Sequence, residues 1–256
     1  MAGPAFARSR PSDAGCVVVL HEIWGLDPHI AEVCKRLGKL GFATAVPDLY
    51  RGNGALLTPS NIQNAMAAVW NLTLEERWDR TKVAAELARK GGGREVEEVL
   101  SVLYDQRFRK RILEIATETV LEGRARHGRV ATLGFSLGGG LSLAAAAGPA
   151  PPDAAVAYCG EPPKSGFAAS VPTLAIYATR DELIGPKVPA LVDSAMKHGS
   201  DLTVRVLPNT RHDFFNKTKK DQYDPQAAEE AWELTEWFLV KNLGQPMGRT
   251  GSLSKR

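Results

Sequence analysis

Ser136 stands between two glycines in Gly134-Phe135-Ser136-Leu137-Gly138. An apolar run, Val130-Ala131-Thr132-Leu133, precedes it and an alanine-rich stretch follows. This reads as a buried strand, a tight turn and a small-residue helix, the arrangement that pushes a serine Oγ out at the end of a sheet as a nucleophile. A hydroxyl is a weak nucleophile at neutral pH. It needs a base within hydrogen-bond reach, and the base needs a carboxylate to fix its tautomer and stabilise its cation. With such an elbow the acid and the histidine follow the serine in chain order, each on a loop beyond a strand. Asp181 follows the apolar run at 173–178, with Glu182 its rival, and His212 follows the run at 202–207. Of the other histidines, His127 and His198 precede glycines at expected helix ends, His21 closes an apolar run, and His29 falls in the first turn of a helix. Acyl transfer also needs donors for a developing oxyanion. The N–H of Leu137 is one; the second is expected from the turn His21-Glu22-Ile23-Trp24-Gly25, at Ile23.

The elements that must position these residues follow from apolar patterning. Cys16-Val17-Val18-Val19-Leu20 is a continuous apolar run of strand length, as a parallel strand covered on both faces requires. Asp27-Pro28 supplies a cap and a first-turn proline; Ile30, Val33, Leu37 and Leu40 follow at helical spacing, and Gly41 stops the helix. Residues 42–46 form the next strand, ended by Pro47, completing a β-α-β unit. Residues 53–128 are helical without clear strands: Thr73-x-x-Glu76 is a capping box opening one helix, Gly91-Gly92-Gly93 breaks it, and Val96, Val99, Leu100 and Leu103 mark another. This block exceeds one crossover helix, and reads equally as a cap over the site or as added surface helices. Further strands are expected at 154–159, 173–178 and 202–207, a helix at about 186–198, and a last helix from Asp224-Pro225. The expected organisation is a tail at 1–14, one α/β domain at 15–243, and a second tail at 244–256.

Composition narrows the class. The 256 residues carry a formal charge of +3, too small to imply nucleic-acid binding, and the basic run Arg107-Phe108-Arg109-Lys110-Arg111 reads as a solvated helix face. No apolar run is long enough to span a membrane. The first residues lack a basic head with an apolar stretch, so a cytoplasmic protein is expected. Cys16, Cys34 and Cys159 form no metal-ligand spacing and no even disulfide set, which points to reduced thiols. His21-Glu22 begins like a zinc-binding His-Glu-x-x-His, but position 25 is glycine, so no metal and no cofactor is expected.

With these residues in place the chain resembles the dienelactone hydrolase (carboxymethylenebutenolidase) family of α/β-hydrolases. The likeness rests on His21-Glu22-Ile23-Trp24-Gly25-Leu26, Val46-Pro47-Asp48-Leu49-Tyr50, the segment 134–139 and Tyr158-Cys159-Gly160. It implies an α/β-hydrolase fold, a mostly parallel sheet with helices on both faces, here with a shortened N-terminal hairpin and a helical insertion before the nucleophile strand. It also implies a Ser136–Asp181–His212 triad, oxyanion donors at Ile23 and Leu137, and a Glu22 that controls the protonation of the nucleophile; from the residues alone Glu22 is equally a buried partner for a nearby arginine. The sequence departs from the family in having serine where the best-studied members have cysteine, and Asn216, beside Lys217, where they place a substrate-binding arginine. Asn216 and Trp24, with Trp70 or Trp78, are the candidates for the substrate pocket. The expected activity is hydrolysis of a small ester or lactone through an acyl-enzyme by a monomer or small homo-oligomer. The alternatives are a thioesterase, peptidase or acyltransferase on the same residues, or a non-catalytic binding protein.

Overall fold

The computed structural model describes residues 5–6 and 15–244. Strand β1 (Ala5–Phe6) is followed by β2 (Cys16–Leu20), helix α1 (Pro28–Lys39) and β3 (Ala43–Val46). Four helices come next: α2 (Pro59–Ala68), α3 (Arg80–Lys90), α4 (Arg94–Leu103) and α5 (Gln106–His127). The rest alternates as β4 (Val130–Phe135), α6 (Leu137–Ala146), β5 (Ala154–Tyr158), β6 (Thr173–Ala178), α7 (Val188–His198), β7 (Leu202–Leu207) and α8 (Pro225–Leu243).

The strands form one sheet in the order β1-β3-β2-β4-β5-β6-β7, parallel throughout except for β1. This is the mostly parallel α/β architecture expected. Residues alternate between its faces. Val17, Val19, Leu133, Val156 and Ile176 pack under α1 and α8, whereas Cys16, Val18, Leu20 and Ala45 pack under the helices of 59–127. Because both faces are covered, β2, β4, β5 and β6 are buried at every position.

Two local readings differ from the sequence expectation. Ala5 and Phe6, placed in a tail, pair antiparallel with Val46 and Ala45. The outer edge of β3 offers a row of backbone donors and acceptors, and even two residues suffice to pair with it. The remainder of the expected tails, except Gly244, lies outside the described residues. Thr73 and Glu76 do form the reciprocal capping bonds, but these open a 3₁₀ turn at Glu76–Trp78. Helix α3 takes its cap from Asp79, whose side chain accepts from the N–H groups of Thr81 and Lys82.

Within the insertion, α5 lies on β2, β3 and β4 as the crossover helix, and α2, α3 and α4 are the surplus. Their apolar faces join one cluster that also includes Tyr50, Ile23, Trp24 and Leu137.

Candidate active site

All the expected site loops leave the carboxyl ends of parallel strands, where β2 and β4 lie side by side while the chain between them runs out to β3 and back. Ser136 is the hinge between β4 and α6, at φ 50° and ψ −109°, a conformation unusual for a residue with a side chain. Glycine is required on both sides of it. A Cβ on Gly134 would stand 2.0 Å from the Gly138 carbonyl oxygen, and one on Gly138 would stand 2.1 Å from that of Leu20. The Ser136 N–H donates to the Tyr158 carbonyl at 2.8 Å, so β5 holds the hinge from the other side.

Residues far apart in the chain meet here. His212 Nε2 lies 2.7 Å from Ser136 Oγ, and its Nδ1 lies 2.6 Å from Asp181 Oδ2. The other carboxylate oxygen of Asp181 accepts from the N–H groups of Leu183 and Ile184, both at 3.0 Å. Glu182 is exposed, whereas Asp181 is buried against His212. Burial works against charge on His212, but the bond and charge of Asp181, with Asp213 and Glu22 nearby, raise its pKa to about 9. Burial likewise disfavours an ionised Asp181, yet His212 and the two N–H groups hold its pKa below the ordinary value.

The turn after β2 is fixed from two sides. His21 is fully buried; its Nε2 accepts from the Leu49 N–H, which leaves Nδ1 to donate to the Glu22 carbonyl at 2.7 Å. Tyr50 Oη donates to the Ile23 carbonyl at 2.5 Å. Leu137 opens α6, where the first N–H groups lack acceptors within the helix. Glu22 is buried, and its Oε2 accepts from Asn216 Nδ2 at 3.0 Å. Burial and the neighbouring Asp213 carboxylate push its pKa up to about 8. Glu22, Asn216, Ser136, His212 and Asp213 border a void of about 10 Å³, room for about one water.

The pocket candidates fall differently. Asn216 is 1% exposed, and its Oδ1 is taken by the N–H and hydroxyl of Thr218, so both ends of its amide are committed inside the protein. Trp24 is half-buried under the Lys219 ammonium, 3.6 Å from the ring centroid. Trp70 is 62% exposed, whereas Trp78 is half-buried among Tyr104, Arg109 and Lys164. Spacing along the chain gave no hint of Cys159, whose sulfur, with an Asp181 oxygen and a His212 nitrogen, forms a group within 4.8 Å. Burial and the carboxylates of Asp181 and Asp213 keep this thiol neutral, so it is no rival nucleophile. All three cysteines are free.

Comparison with known proteins gives a consistent picture. A family model described as the dienelactone hydrolase family matches residues 4–242. A protein of Saccharolobus solfataricus named, by inference, a carboxymethylenebutenolidase is 32% identical over 243 residues, covering 92% of each chain. Protein usf of Aquifex pyrophilus is 29% identical over 236 residues, covering 89% of this chain and 88% of that one. Among solved structures, a dienelactone hydrolase-like promiscuous phosphotriesterase from metagenomic libraries superposes with a TM-score of 0.65 at 21% identity, covering 94% of this chain and 88% of that one. The dienelactone hydrolase of Anabaena variabilis gives 0.51 at 19% identity, with 94% and 99% covered.

Proposed function

The chain belongs to the dienelactone hydrolase family, and from that premise we propose that it hydrolyses carboxylic esters or lactones through an acyl-enzyme on Ser136. The observation that carries this reading is the unbroken relay from Ser136 Oγ through both nitrogens of His212 to Asp181. As Oγ attacks the carbonyl carbon, His212 Nε2 takes its proton, and the charge gained by the imidazole is met by Asp181 across 2.6 Å. The oxyanion turns to the N–H groups of Leu137 and Ile23. Collapse returns the proton from His212 to the leaving alkoxide and leaves the acyl group on Ser136. A water then gives its proton to His212, attacks the acyl carbon and regenerates the serine. No cofactor enters this cycle.

Serine makes the reaction depend on His212 more fully than a thiol would, since a serine hydroxyl is not ionised by its surroundings at neutral pH. The ester reading ranks above amide cleavage because the same relay serves any acyl transfer and the family premise favours esters. Hydrolysis of short p-nitrophenyl esters and of dienelactone by the wild type and by Ser136→Ala is the test. The substitution is expected to lower kcat by ~10⁴-fold or more. Equal rates in the two proteins would refute the proposal, and faster turnover of amides than of esters would move it to a peptidase.

A further inference from the structure

We infer that His29 is a positioning residue for this reaction: its Nε2 accepts a hydrogen bond from the carboxyl O–H of Glu22 and so turns that proton away from Ser136. The inference builds on the assignment of Ser136 and His212 above, but its geometry stands apart from it. Glu22 Oε2 already accepts from Asn216 Nδ2. The carbonyl oxygen is the better acceptor of the two in a neutral carboxyl, so the Asn216 bond favours the proton on Oε1, where it needs an acceptor. Oε1 lies 3.9 Å from His29 Nε2, a buried nitrogen with no hydrogen-bond partner. Each atom thus lacks what the other supplies, and closing the gap by about 1 Å brings them into hydrogen-bond range.

The surroundings favour an uncharged pair. Glu22 is faced by Asp213 and His212 from the loop after β7 and by Asp27 at the cap of α1. His29 is 6% exposed, set edge-on against the rings of Phe135 and Phe215. On a second side it borders a cavity of about 160 Å³, where Glu32, Arg36 and Lys217 are the charged neighbours. Burial drives the imidazole pKa down to about 4, so at neutral pH its Nε2 is a bare acceptor when Nδ1 carries the hydrogen. Two carboxylates close to Glu22 disfavour its ionised form.

The consequence for the reaction is electrostatic. A neutral Glu22 leaves His212 with less negative charge around it, so the imidazole is more readily free to act as a base. A carboxylate in its place would hold His212 protonated to higher pH and would compete for the hydroxyl proton of Ser136.

Infrared difference spectra between the wild type and Glu22→Gln, recorded from pH 5 to 10, test the pairing without any substrate. A carboxylic-acid carbonyl band is expected at pH 7, absent in Glu22→Gln. His29→Phe, which fits the aromatic surroundings, should move that band to higher frequency and make it titrate away at lower pH. His29→Gln, which restores an acceptor, should leave it near the wild-type position. Absence of the band at pH 7, or a band in the His29→Phe protein identical in position and titration to the wild type, would overturn the inference. The ester assay fails or succeeds independently of these spectra. In that assay His29→Phe should shift the rising limb of kcat/KM to higher pH, and no such shift should appear in a Glu22→Gln background. A limb that moves equally in both backgrounds also overturns it.

Discussion

At the scale of residues, the arrangement turns on who holds a proton. On the proposed mechanism His212 must be neutral to accept one from Ser136, and its pKa is raised from 6.5 to about 9 despite burial, chiefly by the bond and charge of Asp181. Below that value more of the base is occupied, so kcat/KM is expected to climb with pH through an apparent pKa above 6.5. A pH–rate profile with a rising limb at or below 6.5 would contradict this. Replacing Asp181 by Asn should cost about 10⁴-fold in kcat, as the amide would set the wrong tautomer. The loss is read from initial rates at saturating ester.

Elements decide whether those residues arrive in register. The elbow works only because β4 and α6 meet with two glycines packed on backbone. Gly138→Ala would drive a methyl against the Leu20 carbonyl, since nothing there is a flexible side chain. It is expected to destabilise the protein by roughly 2 kcal/mol or more, or to prevent folding, as measured by urea unfolding. The helical insertion is tied down near the site as well. Lys187 Nζ lies 2.7 Å from both Glu75 in the insertion and Glu161 in the loop after β5. Lys187→Met should destabilise the protein by about 1 kcal/mol, because the pair with Glu75 is largely in water and only that with Glu161 is partly shielded. It should nevertheless speed limited proteolysis of residues 69–79, measured by mass spectrometry, because it removes the tether at Glu75; an unchanged cleavage rate would refute this. Of the basic run at 107–111, Arg107, Lys110 and Arg111 are exposed helix surface as read, Arg111 pairing with Glu114 and Glu118, whereas Phe108 is buried and Arg109 lies half-buried over Trp78. Among the described residues no helix is long and apolar enough to cross a membrane.

For the molecule as a whole, burying Glu22 has a thermodynamic signature. Its pKa is near 4.5 in the unfolded chain and about 8 in the folded one. Between those values the folded protein holds a proton that the unfolded chain has released. The contribution of Glu22 is therefore complete below 4.5 and is lost as pH rises through 8. Glu22→Gln should thus raise the melting temperature relative to the wild type at pH 9, and the advantage should shrink toward pH 4.5. A constant difference across that range would argue against a buried neutral acid.

The sequence by itself determined what is local. Gly-x-Ser-x-Gly between an apolar run and a small-residue helix specifies an elbow, because the glycines, the hinge and the flanking periodicities all lie within a dozen positions. Strands β2 to β7 and the caps at Asp27 and Asp224 were legible for the same reason. Chain order after the elbow also pointed to Asp181 and His212. Tertiary structure alone decided what depends on distant segments meeting. Glu22 and Asn216 are 194 positions apart, and their bond commits the Asn216 amide nitrogen to a buried carboxyl group beside Ser136, a pairing that spacing along the chain does not encode. His29 read as an ordinary first-turn residue until α1 was laid against the loop after β7, and Cys159 as a bland thiol until β5 was laid beside β6. Hydrophobic periodicity encodes which face of an element is buried, but not which polar atom on another element it will face. That is settled only when the sheet is assembled and most buried donors meet their acceptors.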